Sequence, residues 1–205
     1  MGCLFIVTAP SGAGKTSLIQ ALLAEDTRLR LSVSCTTRAP RAGEVDGRDY
    51  HFLTVEEFQA RRERGEFLEW AEVYGNLYGT LRAPVEAALA SDGPDLIFDV
   101  DWQGARRLRE RFPEAASVYI LPPSPEALRA RLRARATDAE EVILRRLAQL
   151  GEDVRHVHEF DYGIVNDLFD EALVKLRAIV RAERCRTRLL PTSLLERFYG
   201  PHYRG

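Results

Sequence analysis

Eight consecutive residues, Ala9-Pro10-Ser11-Gly12-Ala13-Gly14-Lys15-Thr16, stand between a short apolar run and a helical pattern. Gly12 and Gly14 let the backbone curl so that successive N–H groups converge on one anion at a helix N-terminus. Lys15 beside that cradle can reach phosphate oxygens, and the Thr16 hydroxyl, with Ser17 next to it, can serve a magnesium ion. The spacing is that of a phosphate-binding loop with Ala9 in place of the first glycine. That exchange is harmless if position 9 needs no positive φ. Lys15 stands out for a second reason. Of 29 basic residues only Lys15 and Lys175 are lysines, so the chain uses arginine for its ordinary surface cations and a lysine here has a specific purpose. Leu96-Ile97-Phe98-Asp99 is an apolar run ending in a carboxylate, a placement from which an aspartate orients the metal or its water. These residues point to chemistry on a nucleotide phosphate.

The elements that must hold them alternate between strand and helix signals, the pattern of a mostly parallel sheet covered by helices. Apolar runs at 2–8, 96–100, 118–121 and 162–165 suit strands buried on both faces. Residues 17–24 carry helical spacing, with Leu18, Ala21, Leu22 and Glu25 on one side. Thr54-x-x-Glu57 and Thr137-x-x-Glu140 have the capping-box form, and Ser124-Pro125 sets a cap before a first-turn proline. Helices over about 55–64, 125–135 and 138–150 follow, with Gly65 stopping the first. Between 33 and 82 the composition changes to Tyr, Arg, Thr and Gly in short alternating stretches, a small β-rich insertion. The final residues, from Cys185, include Leu189, Leu190, Leu194, Leu195, Phe198 and Tyr199, too apolar for a free tail and expected to pack on the body or on a partner.

Composition removes several classes. With 29 basic and 31 acidic residues the net charge is −2, unlike a protein that coats nucleic acid, so anion binding must be local. Three scattered cysteines without a C-x-x-C pair argue against a disulfide framework or a thiolate zinc site. His156 and His158 would point about 200° apart on a helix and could not share a metal. No signal peptide or apolar run long enough to cross a membrane is present, so the chain is expected in the cytoplasm.

Further motifs identify a family. Ser34-Cys35-Thr36-Thr37-Arg38-Ala39-Pro40-Arg41-Ala42-Gly43-Glu44 precedes Gly47-Arg48-Asp49-Tyr50, and Glu69-Trp70 and Tyr74-Gly75-Asn76-Leu77-Tyr78-Gly79-Thr80 follow. In these motifs, and in order along residues 3–184, the chain resembles the guanylate kinases, enzymes that phosphorylate GMP with ATP. The resemblance implies an α/β nucleoside-monophosphate-kinase fold: a core from residues 1–32, 83–123 and 157–205, a GMP-binding region over 33–82, and a helical lid over 124–156. It further implies that Arg38, Arg41, Tyr50 and Tyr78 hold the GMP phosphate. Glu69 would take the guanine N1–H and N2 amino group, with Ser34, Thr80 and Asp101 as further base contacts.

The same resemblance makes Arg131, Arg135 and Arg146 the lid arginines that close over the phosphates, and puts Asn166 in the adenine-side loop. ATP would lie on Ala9–Ser17 with Mg²⁺ at Thr16 and Asp99. Arg129 and Arg133, on the other helix face, read as solvated cations. Ala136 departs from the glycine common after the second lid arginine, and Thr16-Ser17 from the commoner Ser-Thr. The expected partners are ATP and GMP, with dGMP also accepted, and neither nucleic acid nor membrane. The chain would be a monomer or a homodimer. The competing possibilities are a related small-molecule kinase, such as one acting on ribose bisphosphate, and a non-catalytic binding module of guanylate-kinase type. Intact Lys15, Thr16 and lid arginines speak against the module.

Overall fold

A computed structural model describes residues 2–90, 93–134 and 140–199. β1 (Leu4–Thr8) enters the glycine-rich loop and α1 (Lys15–Glu25), and β2 (Leu29–Ser32) follows. The insertion contains β3 (Cys35–Thr36), β4 (His51–Phe52), α2 (Val55–Glu63), β5 (Phe67–Val73) and β6 (Asn76–Leu81). The chain then returns through α3 (Arg82–Leu89), β7 (Asp95–Asp99), α4 (Trp102–Arg111) and β8 (Ala116–Leu121). α5 (Pro125–Ala134) and α6 (Glu140–Arg155) form a two-helix arm, and β9 (Tyr162–Val165), α7 (Phe169–Glu183) and α8 (Thr192–Tyr199) complete the described chain.

Five parallel strands in the order β2-β7-β1-β8-β9 make the central sheet. Successive residues point to opposite faces, and both faces are apolar. Phe5, Val7 and Ile97 pack with Leu18, Ile19, Leu176 and Val180, of α1 and α7, while Ile6, Leu96 and Phe98 pack with Val85 and Leu108, of α3 and α4. Parallel register sets Asp99 beside Val7, so the carboxylate reaches the sheet edge where the glycine-rich loop begins. β2 completes the sheet as a fifth strand beyond the four expected runs.

The insertion is a second sheet, β4-β3-β6-β5, over its own small core of Cys35, Phe58 and Phe67, with the two phenyl rings stacked at 4.4 Å. The Thr54 capping box forms: Thr54 Oγ1 accepts from Glu57 N at 3.1 Å, and Glu57 Oε2 accepts from Thr54 N at 2.8 Å. Gly65 follows at φ 69°, ending α2 as expected. In the arm, Leu128 and Leu132 pack on Ile143 and Leu150. Ser124 Oγ accepts from Ala127 N at 3.1 Å and caps α5. α6 runs five residues beyond the expected end at 150 and continues into a 3-10 turn at His156–Glu159. Arg135, Ala136 and Thr137 lie outside the described residues.

The tail is only loosely attached to the body of this chain. Arg188 donates to Glu114 O at 2.9 Å, but Leu190, Leu194 and Phe198 are exposed to solvent rather than packed on the body. No helix among the described residues is long and apolar enough to cross a membrane.

Candidate functional site

The loop after β1 owes its shape to two glycines, Gly12 at φ 92° and Gly14 at φ 95°, a region that side chains disfavour. Ala9 needs no such angle; among described residues Tyr74 is the one non-glycine with positive φ. The loop folds back on itself where Ala13 N donates to Pro10 O at 3.1 Å. Lys15, at the start of α1, places its ammonium 2.6 Å from Asp99 Oδ1 and 2.5 Å from Val100 O. The other oxygen, Asp99 Oδ2, accepts from Thr16 Oγ1 at 3.0 Å. One carboxylate therefore holds both the lysine and the hydroxyl. A hydroxyl and a carboxylate facing each other are hard oxygen donors that suit Mg²⁺, which is typically held by one or two protein ligands plus substrate phosphates. Among the described residues no cluster of three or more His, Cys, Asp or Glu is placed to cage an ion, so a cation here would draw its remaining ligands from a phosphate and water.

Asn166, expected in the adenine-side loop, contacts the glycine-rich loop. It is buried behind the loop, donating from Nδ2 to Ala13 O at 2.8 Å, and occupies the space a Cβ on Gly14 would need, 2.4 Å away. Parallel pairing of β9 with β8 carries it there, and its contact braces the loop from beneath.

The insertion contributes a basic and aromatic corner. Arg38 Nη2 donates to both carboxylate oxygens of Glu44, at 2.9 and 3.0 Å, and its guanidinium lies 5.4 Å from the Tyr50 ring centre. Glu44 also accepts from Arg41 N at 2.7 Å. Burial works against the Glu44 charge, yet the Arg38 and Arg41 hydrogen bonds hold its carboxyl below the usual range. The Tyr50 and Tyr78 rings meet edge-on at 6.1 Å. Burial pushes the Tyr50 phenol far upward, keeping it a neutral O–H donor. Two guanidinium forks and two phenols suit a phosphate monoester.

Beside them lies an acidic pocket. Glu69 on β5 is 5% exposed and accepts the Thr80 hydroxyl at 2.6 Å, the two residues being paired across a bulged β5–β6 register. Asp101 caps α4, accepting from Gly104 N at 3.0 Å, and Ser34 is buried at the cleft wall. Burial, assisted by the negative charge of Asp101 and only partly offset by the Thr80 hydrogen bond, lifts the Glu69 carboxyl to about 7. Asp153 of α6 rises to about 6 for the same reasons, burial first and then Asp101. Such a pocket can accept neighbouring N–H donors from a neutral ring.

The arm supplies the roof. Arg131 faces the cleft and donates to Asp167 O at 3.2 Å, while its Nη1 is buried without a hydrogen-bond partner among the described residues. Arg146 is buried over the Tyr74 ring at 5.5 Å. Arg133 turns outward to pair with Glu140, as its solvated reading requires. Sequence reasoning missed Tyr74, Trp102 and Asp153, all of which line the cleft. A signal existed for Tyr74: Tyr74-Gly75 is a two-residue turn with both φ positive, at 52° and 80°, joining two alternating strands. Trp102 stacks on His156 at 3.7 Å, a contact between residues too far apart for spacing to reveal. The glycine-rich loop, the basic corner, Glu69 with Asp101 and Asp153, and Arg131 with Arg146 face one cleft of about 700 Å³.

The family model described as Guanylate kinase matches residues 1–183 of this chain. A guanylate kinase of Cupriavidus pinatubonensis is 55% identical over 185 residues, covering 90% of this chain and 85% of that protein. One from Aromatoleum aromaticum is also 55% identical, covering 90% of each. Among solved structures, a guanylate kinase crystal structure from Anaplasma phagocytophilum superposes with a TM-score of 0.81 at 34% identity, covering 98% of this chain and 97% of its own.

Proposed function

The chain belongs to the guanylate kinase family, and from that premise we propose that it transfers the ATP γ-phosphoryl group to GMP, and to dGMP, giving ADP and the nucleoside diphosphate. The observation that carries this reading is the meeting, in one cleft, of the Lys15–Asp99–Thr16 cluster with the buried Glu69–Thr80 pair. The first suits a polyphosphate and the second suits a base bearing adjacent N–H donors.

In this mechanism the acceptor phosphate lies among Arg38, Arg41, Tyr50 and Tyr78. Glu69 accepts N1–H and the N2 amino group of guanine, with Ser34, Thr80 and Asp101 completing the base contacts. Adenine offers an unprotonated N1 and no N2 amino group, which would leave the buried Glu69 unsatisfied. Lys15 exchanges Asp99 for the β- and γ-phosphate oxygens of ATP held on residues 9–17. Thr16 and Asp99 are the residues that would hold Mg²⁺, which supplies charge neutralisation at the phosphates. Arg131, Arg135 and Arg146 spread positive charge over the transferring group and exclude water. The acceptor oxygen is already ionised near neutral pH, so the protein's task is positioning and charge neutralisation rather than proton removal.

The test is ADP release with ATP and Mg²⁺ in parallel reactions offering GMP, AMP, UMP or no acceptor. Turnover with GMP at about 1–100 per second, and little with the others, is the expected result. Silence with every nucleotide from folded protein overturns the assignment, and turnover on a sugar phosphate alone would replace it with the related small-molecule kinase.

A further inference from the structure

Gly104 sits in the first turn of α4, three residues after the capping Asp101. Glycine is a poor choice there. It weakens a helix relative to alanine, and its φ is not in the positive range that would require it. What glycine supplies at this position is space. A Cβ on residue 104 would stand 2.7 Å from Glu69 Oε2, 3.2 Å from Glu69 Cδ and 3.3 Å from Asp101 Oδ1. A Cβ essentially never comes within 3.0 Å of another such atom, so the carboxylate would have to move.

We propose that Gly104 is a positioning residue for base selection: its bare backbone leaves room for the Glu69 carboxylate to face the adjacent N–H donors of a guanine ring. The inference rests on the reading of Glu69 as the base-recognising acid. The atoms that a methyl group would meet are the ends of two side chains, not backbone, so the fold can absorb the change by turning Glu69 aside. Recognition then suffers while stability does not. Gly79 offers the contrast. Its missing Cβ is opposed by the backbone carbonyl of Glu69 at 3.1 Å and by the Phe67 and Phe58 rings, so a side chain there would strain the β-rich insertion itself. Gly151, in α6, has nothing within 4 Å and serves as a neutral site.

The test compares Gly104→Ala, Glu69→Ala, the double variant Gly104→Ala with Glu69→Asp, and Gly151→Ala as control. Calorimetric GMP affinity, kcat and KM for GMP and AMP, KM for ATP and thermal melting are measured on each. Gly104→Ala is expected to melt no lower than the parent and to raise the GMP KM about ten- to a hundredfold, with ATP KM and kcat nearly unchanged. Discrimination against AMP falls with it, and Gly151→Ala matches the parent. Shortening the acid by one methylene recovers part of the GMP affinity lost in Gly104→Ala, because the retracted carboxylate clears the new methyl group. Should Gly104→Ala fail to fold, the double variant decides: folding with GMP binding supports the inference, and failure to fold overturns it. Parent-like GMP affinity in Gly104→Ala, or equal losses for ATP and GMP, also overturns it. If Glu69→Ala weakens GMP while Gly104→Ala does not, this inference alone fails. If Glu69→Ala leaves GMP binding intact, the reading of Glu69 fails first.

Discussion

The two ends of the cleft manage charge in opposite ways. At the phosphate end, cations are stored in ion pairs: Lys15 with Asp99, and Arg38 with Glu44. At the base end, Glu69 is buried against Thr80 with, among the described residues, no ion pair, while Asp101 adds like charge nearby. On the proposed reading a phosphate must compete with carboxylates already in place. A base, on the same reading, meets a buried acid that accepts the Thr80 hydroxyl and has room for further donors. The phosphate end would then exchange one anion for another, while the base end adds N–H donors to a buried carboxylate, so a base that lacks those donors is rejected.

Removing Lys15 tests the phosphate end most severely. Lys15→Met should cut turnover by about a hundredfold or more while leaving the fold and GMP binding intact. Coupled ADP-release kinetics with circular dichroism check this, and retention of more than about a tenth of the activity would remove Lys15 from its role. Glu69→Ala should weaken GMP by about ten- to a hundredfold and relax the rejection of AMP, with ATP affinity unchanged. Equal losses for the two nucleotides would erase the division between the ends.

The pH response sharpens the contrast. The Glu69 carboxyl, raised from 4.5 to about 7, must ionise to accept N–H donors. GMP binding at pH 6 should thus release a proton, seen as a buffer-dependent calorimetric enthalpy that Glu69→Ala reduces. The sign for folding is the reverse. The stability associated with neutral Glu69 is fully present below about pH 4.5 and is lost as pH rises through about 7. Glu69→Gln should consequently raise the melting temperature at pH 8 and have little effect at pH 4. The smallest effect belongs to Arg133, whose pair with Glu140 is solvated; Arg133→Ala should change turnover by less than about twofold. A larger loss would bring this arginine into the roof.

The phosphate end was legible because its chemistry is contiguous: the glycines, Lys15 and Thr16 are neighbours in the chain, and Asp99 ends an apolar run. Local caps were equally readable, as Thr54 and Ser124 show. The base end is assembled from strands 69 and 80 and the start of α4, and Glu69 alone looks like any solvent-facing strand residue. Only the family motifs marked it. Trp102 against His156, Asp153 beside Asp101 and Asn166 beneath Ala13 arise from packing between distant segments, which no spacing encodes. The tail is legible only in part. Its leucines signal burial, but composition does not say what surface covers them.

The Asn166–Ala13 bond joins residues 153 positions apart. Its consequence concerns synthesis order. A chain emerging from the ribosome has its glycine-rich loop complete within about the first twelfth of its length, yet the brace beneath it arrives only with β9, the last strand of the sheet. Parallel pairing over such separations is slow to form, because loop closure comes before any contact rewards it. The earliest part of the site to be made is thus the last to be locked, and truncations that end before residue 166 leave the loop without its support.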